Sequence, residues 1–160
     1  MANMEYTRLG HSGIEVSRVC LGGMSFGVPT PDHHQWTIDP SETRAVIARA
    51  LEQGVNFIDT ANCYANGTSE EYIGAALRDL GVSRDKVVLA SKVYFNEGRL
   101  SAAAIEREIE GTLRRLGTDY LDLYIIHRFD YDTPVEETME ALDRLVRAGK
   151  VRSIGARAMY

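Results

Sequence analysis

Short apolar runs alternate with amphipathic helical stretches along this chain, and that alternation restricts the fold more than any other feature. The runs are Val55–Ile58, Val87–Ala90, Leu121–Ile126 and Val151–Ile154. They are rich in β-branched or long apolar residues, as buried strands are. The segments between them carry helix boundaries. Asp39-Pro40-Ser41-Glu42 supplies an N-cap, a proline at the first helical position and a carboxylate at the third. Val46, Ile47, Ala50 and Leu51 then form an apolar face, and Gly54 stops the helix. A second helix starts near Thr68 with Glu71 as capping partner, buries Ile73, Ala76, Leu77 and Leu80, and stops at Gly81. A third follows Ser101, turns Ile105, Ile109, Leu113 and Leu116 inward and ends at Gly117. Thr133-Pro134-Val135-Glu136 opens a fourth like the first, with Met139, Leu142, Leu145 and Val146 inward and Gly149 at its end. Strands alternating with helices call for a parallel sheet with right-handed crossovers.

The residues after the strands repeat as well. Asp59, Lys92 and His127 each follow an apolar run, at spacings of 33 and 35 residues. Gly22 and Arg157 hold the corresponding places before and after them. Strand ends that point one way and carry distinctive side chains are the layout of a (β/α) barrel, whose site is assembled at its C-terminal face. A doubly wound sheet would place a G-x-G-x-x-G turn and a helix after the first strand. Here Gly22-Gly23-Met24-Ser25-Phe26-Gly27 has no helix behind it, so the barrel is expected. Ahead of it, residues 5–18 alternate like a hairpin turning through Gly10-His11-Ser12-Gly13. Arg18-Val19-Cys20-Leu21 is expected as a buried strand, and residues 24–38 as a long loop of functional weight.

Composition narrows the class. The 160 residues suffice for one domain, and 44% hydrophobic with 26% charged residues is a soluble globular balance. A formal net charge of −5 without a basic tract argues against a nucleic-acid partner. No apolar run is long enough for a membrane helix, and the start lacks a signal-peptide layout. Cys20 and Cys63, in or beside expected strands, read as reduced thiols of a cytoplasmic protein.

The chemistry concentrates at Asp59-Thr60-Ala61-Asn62-Cys63-Tyr64. A carboxylate at the end of a buried strand needs a partner to offset its desolvation, and Lys92 at the next strand end supplies the cation. A phenol beside that ammonium gains a reason to give up its proton. His127 can point an imidazole N–H at the same centre. Such a set suits reduction of a carbonyl: Tyr64 donates the proton, Lys92 and Asp59 tune it, and His127 orients the oxygen. The hydride must come from a nicotinamide. Trp36, Phe26, Tyr94 and Phe95 fall on loops at the expected mouth, where they either wall a substrate pocket or simply pack. Arg128 either lines that pocket or pairs with Asp130. His33 and His34 lack a third ligand at helical spacing, so no metal site is expected. Cys63 lacks a base of its own and reads as a structural thiol.

Phe57-Ile58-Asp59-Thr60-Ala61-x-x-Tyr64, Ser69-Glu70-Glu71-x-x-Gly74, Ser91-Lys92-Val93 and Ile126-His127-Arg128 resemble the aldo-keto reductase family. The opening Tyr6-Thr7-x-Leu9-Gly10-x-Ser12-Gly13-Ile14-x-Val16-Ser17 is similar to its bacterial members and to potassium-channel β-subunits. The resemblance implies a (β/α)8 TIM barrel, NADPH as cofactor and small aldehydes or ketones as substrates. It makes Asp59, Tyr64, Lys92 and His127 a catalytic tetrad with Tyr64 as general acid. Gly22, Gly23, Met24, Asp59 and Arg157 are then the candidate cofactor contacts, and Phe26, Trp36, Tyr94 and Arg128 the candidate substrate pocket.

Two departures fall on the cofactor side. A full barrel of eight βα units needs more chain than 160 residues, and the family's phosphate clamp lies in the other half. The family also places a serine where this chain has Arg157, which either blocks the nicotinamide or contacts a phosphate. The sequence therefore predicts a single partial-barrel domain over residues 1–160: a hairpin, about five parallel strands and four helices. It is read as a fragment of a longer reading frame, as partial barrels that self-associate through uncovered edges, or as a non-catalytic binding module like the channel subunits.

Overall fold

The computed structural model describes residues 4–31 and 34–160. A hairpin of β1 (Tyr6–Arg8) and β2 (Glu15–Ser17) comes first, paired antiparallel with Tyr6 opposite Ser17. There follow β3 (Cys20–Gly22), α1 (Pro40–Glu52), β4 (Phe57–Asp59), α2 (Thr68–Asp79), β5 (Val88–Val93), α3 (Ala102–Leu116), β6 (Leu121–Ile126), α4 (Val135–Arg147) and β7 (Val151–Ala156). Strands β3 to β7 form a five-stranded sheet in sequence order, every pair parallel. This is the expected run of βα units.

The helices pack their apolar stripes on one face of the sheet. Ile47, Ile58, Ile73, Leu89, Ile105, Ile109, Tyr124 and Leu142 are fully or almost fully buried there. The Asp39–Glu42 capping box forms as the sequence predicts, and so does the Ser101 cap. Gly117 ends α3 at φ 67°, in the left-handed region that favours glycine.

Several details differ, each for a local reason. The strand at Arg18–Leu21 is shifted to Cys20–Gly22 and is not buried: Cys20 is exposed and Leu21 half-buried, because β3 has a neighbour on one side only. Val46 is exposed since Thr43 and Ile47, four residues apart, hold the core face of α1. Met139 and Val146 are likewise displaced to the rim of α4, whose inward stripe is Thr138, Ala141, Leu142 and Leu145. Glu71 does not cap α2; that helix starts after Gly67 without a side-chain cap. Thr133 does not cap α4, because its hydroxyl donates to Asp130 Oδ2 at 2.8 Å. The loop over residues 24–38 is tied down by a bridge between Phe26 and Ile38, with Phe26 only 1% exposed in the core. His33 lies outside the described residues, and His34 stacks on Trp36 with ring centroids 4.3 Å apart.

Helices α2 and α3 touch through Gly74. A Cβ placed there would fall 2.5 Å from the Leu116 carbonyl oxygen and 2.7 Å from that of Arg115. Gly74→Ala is therefore expected to force the helices apart and cost about 1–3 kcal/mol, read as a lower urea midpoint with unchanged slope. An unchanged midpoint would contradict this close approach.

Among the described residues no helix is long and apolar enough to cross a membrane, and no three His, Cys, Asp or Glu side chains cluster as a metal site would need.

Candidate active site

Pleat alternation decides what reaches the site. Ser91 faces the helices, giving its hydroxyl to Glu70 of α2 at 2.6 Å, so Lys92 must face the other side of β5. Ile58 and Ile126 are buried against the helices, which turns Asp59 and His127, the next residues along, to the same inner face as Lys92. The barrel layout thus brings three of the four predicted residues together through strand phase alone. Tyr64 reaches them from the β4–α2 loop. Behind it Ala65 and Asn66 adopt left-handed backbone at φ 47° and 55°, followed by Gly67 at φ 90°, and this tight turn fixes where the phenol emerges.

Lys92 is the hub. Its Nζ, 3% exposed as a residue, donates to Asp59 Oδ2 at 2.8 Å, to the Thr60 carbonyl at 2.7 Å and to the Tyr64 hydroxyl oxygen at 3.2 Å. All three ammonium protons are used, which satisfies a cation that burial would otherwise penalise. Since the phenol oxygen accepts from Lys92, its own O–H is left to point elsewhere. The His127 ring stands edge-on to Tyr64 with centroids 6.0 Å apart.

His127 Nε2 lies 3.3 Å from Arg157 Nη1. A guanidinium only donates, so Nε2 accepts and the ring proton belongs on Nδ1, which is buried without a partner. Burial first, then the charges of Lys92, Arg157 and Arg128, pull the imidazole pKa from 6.5 to about 4. The unfolded chain takes up this proton near pH 6.5, whereas the folded chain does so only near 4. The stability tied to neutral His127 is therefore complete above pH 6.5 and lost as pH falls through that window toward 4. NMR titration of the His127 ring is expected to show a midpoint near 4, and one near 6.5 would contradict the burial and cation field described.

A cavity of about 710 Å3 opens over this cluster. Tyr64, His127, Met24, Arg128 and Arg157 line it, as do Asn62, Phe95, Asn96 and Glu108. Of the residues expected around it, Phe26 is instead in the core, through the bridge to Ile38. Trp36 is 54% exposed and meets the cavity only through His34, on which it stacks. Tyr94 is half-buried against the core, and its neighbour Phe95 takes the place at the mouth. Arg128 pairs with the Phe95 ring, not with Asp130, whose partners are Arg99, Leu100, Asp132 and Thr133. Gly22 faces open space, while Gly23 is buried beneath Ile73 and Ser69 of α2, which accounts for that glycine by packing. Burial pushes the Cys63 thiol up, which keeps it protonated and poorly nucleophilic.

The sequence did not single out Asn62, Glu108, Asn96 or the buried pair Glu70–Arg115. Asn62 Nδ2 donates to Glu108 Oε2 at 2.9 Å and to Asn96 Oδ1 at 3.1 Å, tying the Tyr64 loop to the loop after β5 and to α3. Asn62 was open to view, sitting between Asp59 and Tyr64; Glu108, midway along α3, carried no signal.

Residues 18–159 match the profile described as the Aldo/keto reductase family. Aldo-keto reductase AFTS1 of Alternaria alternata is 41% identical, over 97% of this chain and 50% of its own length. A probable voltage-gated potassium channel subunit beta of Oryza sativa subsp. japonica is 38% identical, over 91% of this chain and 44% of its own. Among solved structures, the holo form of aldo-keto reductase AKR11C1 from Bacillus halodurans superposes with a TM-score of 0.82 at 33% identity, over 97% of this chain and 50% of that one. The chain spans about half the length of the curated relatives it matches. Its parallel βα units are part of that TIM-barrel fold, and the chain belongs to the aldo/keto reductase family.

Proposed function

We propose that this chain carries the proton-transfer side of an NADPH-dependent reductase of small aldehydes or ketones, with Tyr64 as the general acid. The observation that carries the reading is the Lys92 ammonium joining Asp59 Oδ2 and the Tyr64 oxygen from a buried position. A carbonyl oxygen in the cavity meets the Tyr64 proton on the side away from Lys92. As the proton leaves, the ammonium already in place stabilises the phenolate without reorganisation. Asp59 holds Lys92 in position and offsets its charge. His127, neutral, can donate a ring N–H to the carbonyl oxygen once Arg157 turns aside and the ring proton moves from Nδ1 to Nε2.

NADPH, when bound, supplies the hydride. Two features fit its nicotinamide end: the open space over Gly22, and the Met24 thioether on the cavity wall, a surface an aromatic ring packs on. Those two residues would hold it.

A steady-state assay of NADPH oxidation over a panel of aldehydes and ketones tests the reading. Carbonyl-dependent oxidation abolished by Tyr64→Phe is expected; none with any carbonyl, in a chain that binds NADPH, would contradict it. The second reading is a non-catalytic binding module. Arg157 seated on His127 Nε2 favours it, and NADPH binding without turnover is its signature. The one-sided edges β3 and β7 also give the chain a route to self-association. Light scattering is expected to show an oligomer, and a cooperatively folding monomer would rule that out. The free thiols Cys20 and Cys63 fit a reducing cytoplasm.

A further inference from the structure

Three cations bear on His127. Lys92 is neutralised by Asp59 at 2.8 Å. The other two rest on neutral groups among the described residues. Arg157 Nη1 lies on His127 Nε2 at 3.3 Å, and the Arg128 guanidinium carbon lies 5.6 Å from the Phe95 ring centroid. That Phe95 ring stands edge-on to His127 with centroids 5.0 Å apart, so Arg157 meets the imidazole directly and Arg128 lies behind the Phe95 ring that packs on it. Both line the cavity that Tyr64 lines. The acid in that cavity, Glu108, is already engaged by Asn62 at 2.9 Å and by Arg107 at 3.0 Å. Among the described residues, positive charge therefore stands without a free carboxylate beside the place a carbonyl oxygen would occupy. A guanidinium matches a carboxylate through two parallel hydrogen bonds, which an imidazole nitrogen cannot offer it.

We propose that Arg157 and Arg128 select a substrate whose carboxylate lies a few bonds from its carbonyl, a short oxo acid. This rests on the carbonyl-reductase reading given above. The carboxylate is the better acceptor, so it draws Arg157 off His127, and the ring proton can then move to Nε2 and be donated to the carbonyl oxygen. Arg157 is then a specificity-determining residue, and the selection is electrostatic and geometric together.

The probes are pyruvate, its uncharged methyl ester and, for the phosphates of a dinucleotide, inorganic pyrophosphate. Binding to the 160-residue chain is followed by amide NMR shifts around Phe95, Arg128 and Arg157. Pyruvate is expected to bind roughly tenfold more tightly than methyl pyruvate. Arg157→Ala should remove that difference, and Arg157→Lys should restore only part of it, since an ammonium keeps the charge but not the fork. Equal binding of the two probes, or unchanged discrimination in Arg157→Ala, overturns the proposal. So does Arg157-dependent binding of pyrophosphate without that of pyruvate, which assigns the site to the cofactor. Missing turnover with intact Arg157-dependent binding counts against the reductase reading alone. Turnover that treats pyruvate and its ester alike counts against the selection alone.

Discussion

Tyr64→Phe is expected to lower the rate of carbonyl reduction by about 10²–10⁴-fold, in any form of the protein that turns over NADPH. The substitution removes one oxygen atom and leaves the ring, so its edge contact with His127 at 6.0 Å should persist and the fold with it. What disappears is the O–H that the Lys92 hub presents to the cavity. The loss should fall on kcat more than on KM, because the phenol acts on charge that develops in the transition state. Unchanged kcat in Tyr64→Phe, with normal circular dichroism, would remove Tyr64 from the chemistry.

The largest stability effect is expected at Glu70, far from solvent and outside the proposed chemistry. Its carboxylate is 0% exposed and accepts from Arg115 Nε at 2.6 Å and Ser91 Oγ at 2.6 Å. Glu70→Ala leaves a largely buried guanidinium with only its 3.4 Å contact to Thr112 Oγ1, and a buried hydroxyl without its acceptor, at a cost of about 3–5 kcal/mol. Set against a typical domain stability of about 5–15 kcal/mol, that is a large share of the whole. Glu70→Gln keeps an acceptor and should cost less. Urea midpoints for the three proteins, ordered wild type, then Gln, then Ala, check this. Equal midpoints for wild type and Glu70→Ala would mean that Arg115 finds water instead.

Helix placement and strand order were legible because each rests on local signals. Asp39 and Glu42 cap α1 within one turn, Gly117 stops α3 at a positive φ, and the apolar runs fall on the strands they suggest. Strand ends also announced Asp59, Lys92 and His127, since pleat alternation and a common direction carry them to one face. Phe26 was misplaced because its burial depends on a bridge to Ile38 twelve residues on, a non-local contact with no periodic trace. Val46 and Ile47 lie about 100° apart around the helix, and which of them is buried followed from Thr43, which shares the face of Ile47. Glu70 was readable in principle: Glu70, Ile73 and Leu77 share one helical stripe, whereas Glu71 is turned to solvent. The seat of Arg157 on His127 was beyond any sequence pattern, since it depends on where two strand ends lie side by side.

The central claim is that Lys92 acts through Tyr64, and a double-mutant cycle tests it most directly. Rates of carbonyl reduction are compared for wild type, Tyr64→Phe, Lys92→Met and the double variant. If the ammonium 3.2 Å from the phenol oxygen serves to stabilise the phenolate, the double variant should be no slower than Tyr64→Phe alone. Losses that multiply across the two sites would show that Lys92 and Tyr64 act independently, and the proton-transfer account would fall.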